Sequence, residues 1–536
     1  MLYKFGLLLS LLSSITVQAQ LLPITWNVYP VIDPIMSPGF VEVADVDGDG
    51  KTDILLSTLM EQGSAADQPN TRGAIRYFSY PSGTGISGTW TETVVLPTSE
   101  QLPFINAPQY LDVDGDGFKD ILVQQGFIGT NGGSHQWIQG PAFSTRFNFS
   151  ANTAKGATDY FWHESEQADL DGDGLLDIIT TSANNQVTPV AKKIEWYRNT
   201  GAGTFQHVIL DNTLGGVFIK VHDIDNDGDK DIIVSQFFGP PSDPSIVWLE
   251  QVQAPATGNG YTGVWSTHTI DATIGLGYHL VFYDIDNDGQ EELICGNHNN
   301  LDNSSLVDGT GAPIPSGIYA FEIPANPASV SQWNKTTIAE NYPIDAYDFG
   351  NPASQGSPGI FDIGDVDLNG LPDLVVPGDG ADNLYLVRQG PAGVWTQETI
   401  ASGTMFGMAQ IRDIDQDGSP EIVASMHDFP EIWEILFPPA GHLKVYKPVT
   451  SLGVQSNEDV NENCVFPKIT SNDITISNQK STLLKVEILT LTGQHLSEIY
   501  TGSHSVQISL QDFSSGLYLV RIYSAKGIEV HRVVRE

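Results

Sequence analysis

The sequence predicts an all-β chain: a seven-bladed β-propeller followed by a C-terminal immunoglobulin-like β-sandwich. Three observations carry that reading. An acidic nine-residue loop recurs seven times, at intervals from 48 residues (Asp365 to Asp413) to 81 residues (Asp284 to Asp365), about the length of one four-stranded blade. The segments between loops are short, rich in Val, Ile, Thr and Tyr, and punctuated by 53 Gly and 31 Pro, a strand-and-turn composition. Beyond about Lys447 the loops stop, and a nearly neutral region alternates as strands do.

Residues 1–19 read as a signal peptide: Lys4, an apolar run from Phe5 to about Val17, then the small-residue site Val17-Gln18-Ala19. The mature chain is expected to start at Gln20. No later run is long enough to span a bilayer. The two cysteines, Cys295 and Cys464, lie far apart, which argues against a disulfide framework. A net charge of −41 excludes nucleic acid as a partner, because phosphate binding needs clustered Lys and Arg. With 10% aromatic residues the chain is not a disordered acidic tract, so its carboxylates are expected to meet metal ions.

The loops are DVDGDGKTD, DVDGDGFKD, DLDGDGLLD, DIDNDGDKD, DIDNDGQEE, DVDLNGLPD and DIDQDGSPE. Calcium takes six to eight oxygens, and side chains at positions one, three and five of a tight loop converge on one point. The acid at position nine is expected to close the shell. The expected ligands are Asp45, Asp47, Asp49 and Asp53; Asp112, Asp114, Asp116 and Asp120; Asp169, Asp171, Asp173 and Asp177; Asp223, Asp225, Asp227 and Asp231; Asp284, Asp286, Asp288 and Glu292; Asp365, Asp367, Asn369 and Asp373; and Asp413, Asp415, Asp417 and Glu421. Up to seven structural ions follow, the sixth weakened by Asn369. Glycine at position six allows the sharp turn. An EF-hand would place its last acid at position twelve between helices; here "FVEVA" and "ILLS" flank the first loop, so the loop joins two strands.

A second signal marks the outer strand of a blade: "WTETVV", "FQHVIL", "WSTHTI", "WNKTTI" and "WTQETI", each headed by an aromatic expected to pack between neighbours. "TWNVYPVI", Thr25 to Ile32, has this form but precedes the first loop, and the last repeat lacks such a strand. The N-terminal strand is therefore expected to complete the seventh blade and close the ring, which removes sheet edges.

Those loops, each followed by an apolar strand, together with "EWYRNTGAGTF" (Glu195 to Phe205), resemble the FG-GAP or VCBS repeats of integrin-like propellers over residues 24–447. The resemblance implies a calcium-binding propeller; the family spans adhesins, lectins and sugar-processing enzymes, so fold alone names no activity. After a polar linker, 448–463, residues 464–536 resemble the C-terminal sorting domain of the type IX secretion system of Bacteroidetes. The matching residues are Phe466-Pro467, Thr492-Gly493, Leu510, Gly516-Leu517-Tyr518, Gly527 and the basic end Arg532 to Arg535. "FPKI" stands where that family usually has a Pro-Asn-Pro start. The resemblance implies passage through the type IX machinery, export across the outer membrane, and a secreted or cell-surface protein, expected to be a monomer.

In a propeller the face opposite the calcium loops is where blades are free to differ. His163, Glu164, Tyr278, His279, His298 and His427 fall there as candidate catalytic residues, with Trp162, Tyr278, His135 and Asp428 as candidate ligand contacts. One reading is capture of a carbohydrate or another extracellular ligand, with aromatics stacking on sugar faces. The alternative is a polysaccharide lyase or sugar dehydratase with a His-rich acid/base site, with or without a transition metal. Under either reading calcium removal is expected to lower the melting temperature, measured by calorimetry with and without chelator; an unchanged value would refute the metal assignment.

Overall fold

Alternation and turns fold each repeat into four antiparallel strands hydrogen-bonded in chain order. The computed structural model describes residues 21, 23–62, 72–127, 133–238, 243–299, 307, 311–343, 356–380, 382–402, 405–427, 440–449, 463–466, 469–470, 472–478, 482–490, 495–511, 513–524 and 527–535. The expected signal peptide, residues 450–462 of the linker, and Asp428 lie outside them. Two units are separated, Met1–Pro448 and Val449–Glu536.

Among the described residues the first unit holds seven four-stranded sheets. In the first, Pro38–Ala44, Asp53–Gln62, Arg72–Ser79 and Thr91–Leu96 follow one another. The seventh departs from that order. Its strands Met405–Arg412, Glu421–His427 and Ala440–Pro448 are joined by Trp26–Met36, antiparallel to the last, with Trp26 opposite Pro448 and Tyr29 opposite Val445.

Seven apolar clusters link each sheet to the next. Val46, Leu55 and Ile75 of the first repeat pack on Ile121, Val123 and Ile138 of the second, and the pattern continues around to the seventh and back to the first. The closing cluster joins Val31, Val423 and Leu443 to Val41, Ile54 and Phe78. Second strands are covered on both faces, so Asp120–Gln125, Asp231–Ser235, Glu292–Asn297 and Asp373–Pro377 are buried throughout. That is why they read as continuous apolar runs. The aromatics heading the outer strands sit in these seams: Trp90 and Trp333 are buried, and Phe205, Trp265 and Trp395 pack partly buried.

Each nine-residue loop joins a first to a second strand. Position six is left-handed, from Gly50 at φ +85° to Gly228 at +99°. Position four is left-handed as well, occupied by Gly48, Gly115 and Gly172, then Asn226 and Asn287, and finally by Leu368 (φ +56°) and Gln416 (+58°).

First strands are interrupted by bulges at the end away from these loops. The register shifts between Pro38 and Val41, Trp162 and Ser165, Gly277 and Leu280, and Phe406 and Met408. An unpaired pair of residues re-aims the side chains there.

The second unit has a three-stranded sheet (Asn463–Phe466, Asp473–Asn478, Ser505–Ser509) and a five-stranded one. The latter runs Ile469–Thr470, Gly527–Arg535, Gly516–Ser524, Leu483–Thr490 and His495–Tyr500. Ile474 and Ile476 of the smaller sheet share a core with Val486, Ile488, Val520 and Ile522 of the larger.

Two stability outcomes follow. Leu443→Ala, in the closing seam, is expected to cost about 2–5 kcal/mol, read as a lower urea midpoint. Leu368→Asn is expected to stabilise by up to about 1 kcal/mol, because Asn accepts the left-handed backbone that a γ-branched side chain resists.

Candidate functional site

In all seven loops the first aspartate accepts the N–H of the position-six glycine, for example Gly50 to Asp45 Oδ2 at 3.0 Å and Gly174 to Asp169 Oδ2 at 2.8 Å. Position five turns its side chain to the N–H of position seven (Lys51 to Asp49 Oδ1, 2.9 Å). The buried acid at position nine accepts the N–H of position two in every loop, as in Val46 to Asp53 at 3.0 Å and Ile414 to Glu421 at 2.9 Å. Its other oxygen takes an N–H from the third strand or the residue after it: Tyr80, Gly140, Asn199, Gln251 and Gln389.

In the first four loops the acids at positions one, three and nine bring oxygens within 4.8 Å of one another, a donor set that suits a hard cation. Burial pushes Asp53, Asp120, Asp177 and Asp231 up to about 6, and Glu292 and Asp373 to about 7, with the neighbouring aspartates adding to the effect. Positive charge at the loop would relieve both causes. Side-chain cations reach four loops: Lys51 to Asp49 (3.9 Å), Arg198 to Asp171 (2.5 Å) and Asp173 (2.6 Å), Arg388 to Asp367 (3.1 Å), and Lys447 to Asp415, Asp417 and Glu421 at 2.6 to 2.8 Å.

At the centre of the ring, first strands and their immediate neighbours line two adjoining cavities. One, of about 190 Å³, touches Glu42, Gln109, His163, Glu164, Phe218, His279, Asp362 and Gln410, so every sheet contributes at or next to its first strand. The other, of about 150 Å³, touches Phe40, Phe104, Phe127, His163, Phe237, Tyr278, His298, Asp379 and His427. In the first, fifth and seventh sheets the second cavity meets earlier residues of the first strand and the first cavity later ones (Gly39 and Phe40, then Val41 and Glu42; Tyr278, then His279; Gly407, then Met408). The second cavity is therefore at the end away from the acidic loops. His163 and Ile360 belong to both.

The bulges explain the lining. Gly39, Phe40, His163, Glu164, Tyr278, His279 and Gly407 are the residues skipped by the strand register, and consecutive residues such as Tyr278 and His279 serve the two cavities in turn. Tyr278, His298, His427 and His163 are brought together; Glu164 and His279 share the neighbouring cavity with His163. His135 and Trp162 are placed elsewhere. Both are buried between the second and third sheets, their rings stacked at 5.9 Å, with Phe149 on the other side of His135 at 4.4 Å. The sequence reading missed Phe127, Phe237 and Asp379, which follow second strands as His298 does. That shared position was the available signal.

Burial holds His163, His279 and His298 neutral. His163 is lowered to about 3, with His298 nearby adding to the effect, and His298 to about 4, partly offset by its bond to Pro358. His279 is driven well below its ordinary value by burial, then by Lys220 and His163. The rings of His163 and His279 form no side-chain hydrogen bond among the described residues; they lie edge-on to Phe218 at 4.8 and 5.0 Å. Burial, then Asp379, raises the Tyr278 hydroxyl far above its usual range. Glu164 is pushed up by burial, to about 7, and pulled back by Lys220, which it meets at 2.9 Å; Lys220 also binds Glu166 at 2.5 Å.

The fold and its repeated loops define a β-propeller. Residues 112–180 and 169–234 match the FG-GAP-like repeat, and residues 464–536 match the secretion system C-terminal sorting domain. The chain thus carries FG-GAP-like repeats and ends in a type IX sorting domain, which directs it to the cell surface or the medium. Among the described residues no helix is long and apolar enough to cross a membrane. No match was found among curated proteins. Of solved structures, the chain is similar to the rhamnogalacturonan lyase YesW (13% identity, TM-score 0.40, covering 79% of this chain and 75% of that one). It is also similar to the exotype rhamnogalacturonan lyase YesX (12%, 0.40, 78% and 75%) and to the Dos1 propeller (7%, 0.39, 79% and 94%).

The neutral histidines set a pH dependence. Their folded pKa values lie below the unfolded value near 6.5, so the unfolded chain binds more protons below pH 6.5 and their contribution to stability falls as pH drops. At pH 5 each buried imidazole costs about 2 kcal/mol relative to pH 7 or above. His163→Phe is expected to flatten the fall in melting temperature between pH 7 and 5; an equally steep fall would show that His163 takes up its proton in the folded state.

Proposed function

We propose that this exported protein is a calcium-stabilised propeller that captures a carbohydrate, or another extracellular ligand presenting a small group, in the cavity lined by His163, Tyr278, His298, Asp379 and His427. The observation that carries the reading is the gathering of aromatic rings and hydrogen-bonding side chains from several sheets at one buried end of the ring. Aromatic walls suit the apolar face of a sugar, and a few polar groups fix its orientation. At about 150 Å³ the space is smaller than pockets for drug-sized ligands, so it takes a chain end or a single ring rather than the middle of a polymer.

Calcium has a structural part in this reading. The aspartates at positions one and three, with the acid at position nine, would hold it in each loop; when bound, the ion supplies the positive charge that clustered carboxylates need. The chain's own bonds from position nine to the strands set the loop's place at the end of the ring opposite the cavity.

A second reading, sugar elimination or dehydration, is favoured by one observation. The imidazole of His163 is neutral, makes no side-chain hydrogen bond, and lines both cavities, as a general base would. Purified mature protein in calcium buffer, exposed to a panel of algal and plant polysaccharides, separates the two. Retention without release of unsaturated or reducing ends is the expected result. Turnover lost in His163→Phe would favour the enzyme, and neither retention nor turnover would overturn both.

A further inference from the structure

One register position on the third strand decides what each acidic loop meets. In every repeat the residue just after position nine pairs across the sheet with the third strand, as Ile54 does with Phe78 and Ile422 with Tyr446. The next residue along that strand stands beside the loop. In the first and second sheets it is a neutral donor: Ser79 Oγ donates to Asp47 at 2.8 Å and Gln139 Nε2 to Asp114 at 2.9 Å, each an acid at position three. In the third, sixth and seventh it is a cation, Arg198, Arg388 or Lys447, and it reaches the same acid. In the fourth and fifth it is Glu250 or Glu322. Those two bring no positive charge and bond instead to His268 (2.6 Å) and Asn334 (2.8 Å) of the fourth strand.

The seventh loop carries the arrangement furthest. An ammonium has three N–H bonds to give, and Lys447 meets three carboxylates, Asp415 at 2.6 Å, Asp417 at 2.7 Å and Glu421 at 2.8 Å. These are the acids at positions three, five and nine. A cation that touches all three at once stands where an ion shared by them would lie. Arg198 meets positions three and five, at 2.5 and 2.6 Å. Arg388 meets position three at 3.1 Å, in the loop where Asn369 has already removed one charge. Lys51 differs from these: it belongs to its own loop, is exposed, and stays 3.9 Å from Asp49, beyond hydrogen-bond reach. Calcium affinity follows the number of charged ligands, and a fixed cation beside them repels the ion.

We propose that this third-strand residue grades the loops: the first, second, fourth and fifth take calcium tightly, whereas in the third, sixth and seventh the ion has to displace Arg198, Arg388 or Lys447 and binds roughly tenfold or more weakly. The inference rests on the reading of these loops as calcium sites and adds that they are unequal.

Equilibrium dialysis of the chelator-stripped, full-length mature chain against calcium, with bound metal counted by atomic emission, tests it. Four tight ions per chain are expected, one for each loop without a third-strand cation, and the other three loops fill only at higher concentration. Lys447→Gln and Arg198→Gln each copy the second sheet's Gln139, and each is expected to raise the tight count by one. Ser79→Lys copies the seventh sheet and is expected to lower it by one. Melting in saturating calcium shows that each variant is folded; if Lys447→Gln is not, Arg198→Gln and Ser79→Lys decide. Seven ions of equal affinity, or a count that these substitutions leave unchanged, would overturn the grading and leave calcium binding standing. No bound calcium at all would overturn the calcium reading and the grading with it.

Discussion

One buried carboxylate per repeat organises this propeller. At position nine of each loop it accepts an N–H from the loop's second residue and, in five repeats, another from the third strand or the residue after it. In the seventh repeat Lys447 of the third strand reaches Glu421 at 2.8 Å. A single side chain thus ties first, second and third strands together. Burial makes its negative charge expensive, and the aspartates that shape the loop add to the expense. The crowding of carboxylates and the integrity of the sheet are therefore two aspects of one arrangement.

That constraint is what made the scaffold legible in the sequence. Asp-x-Asp-x-Asp-Gly cannot drift without losing the bonds from Gly50 to Asp45 or from Val46 to Asp53, so seven copies stand out against divergent strands. The place of the N-terminal strand was legible for a related reason, because the last repeat lacks a fourth strand. Less visible was the left-handed turn at position four: three glycines and two asparagines announce it, but Leu368 and Gln416 obscure the pattern.

The candidate site was only half legible. Counting residues at and beyond the ends of second strands located His427 and His298, and the same rule applied to every repeat would have found Phe127, Phe237 and Asp379. Alternation fails at the bulges. A strand of period two would put Tyr278 and His279 on opposite faces, yet the shift between Gly277 and Leu280 brings both to the channel. Alternation does hold between Trp162, buried between two sheets, and its neighbour His163, which lines the cavities. Register is a property of paired strands, and one sequence does not state where pairing slips.

The pairing of Trp26–Met36 with Ala440–Pro448 places the ring's fastening at the two ends of its own segment of chain. Such a contact is among the most non-local the molecule makes, so closure has to await nearly all of the propeller. The sorting domain follows the last of those strands in the chain. In synthesis from the N-terminus, a polypeptide that carries its export address has already acquired the strand that fastens the ring, and a product truncated within the ring carries neither. Chain order thereby couples possession of the export address to completeness of the ring.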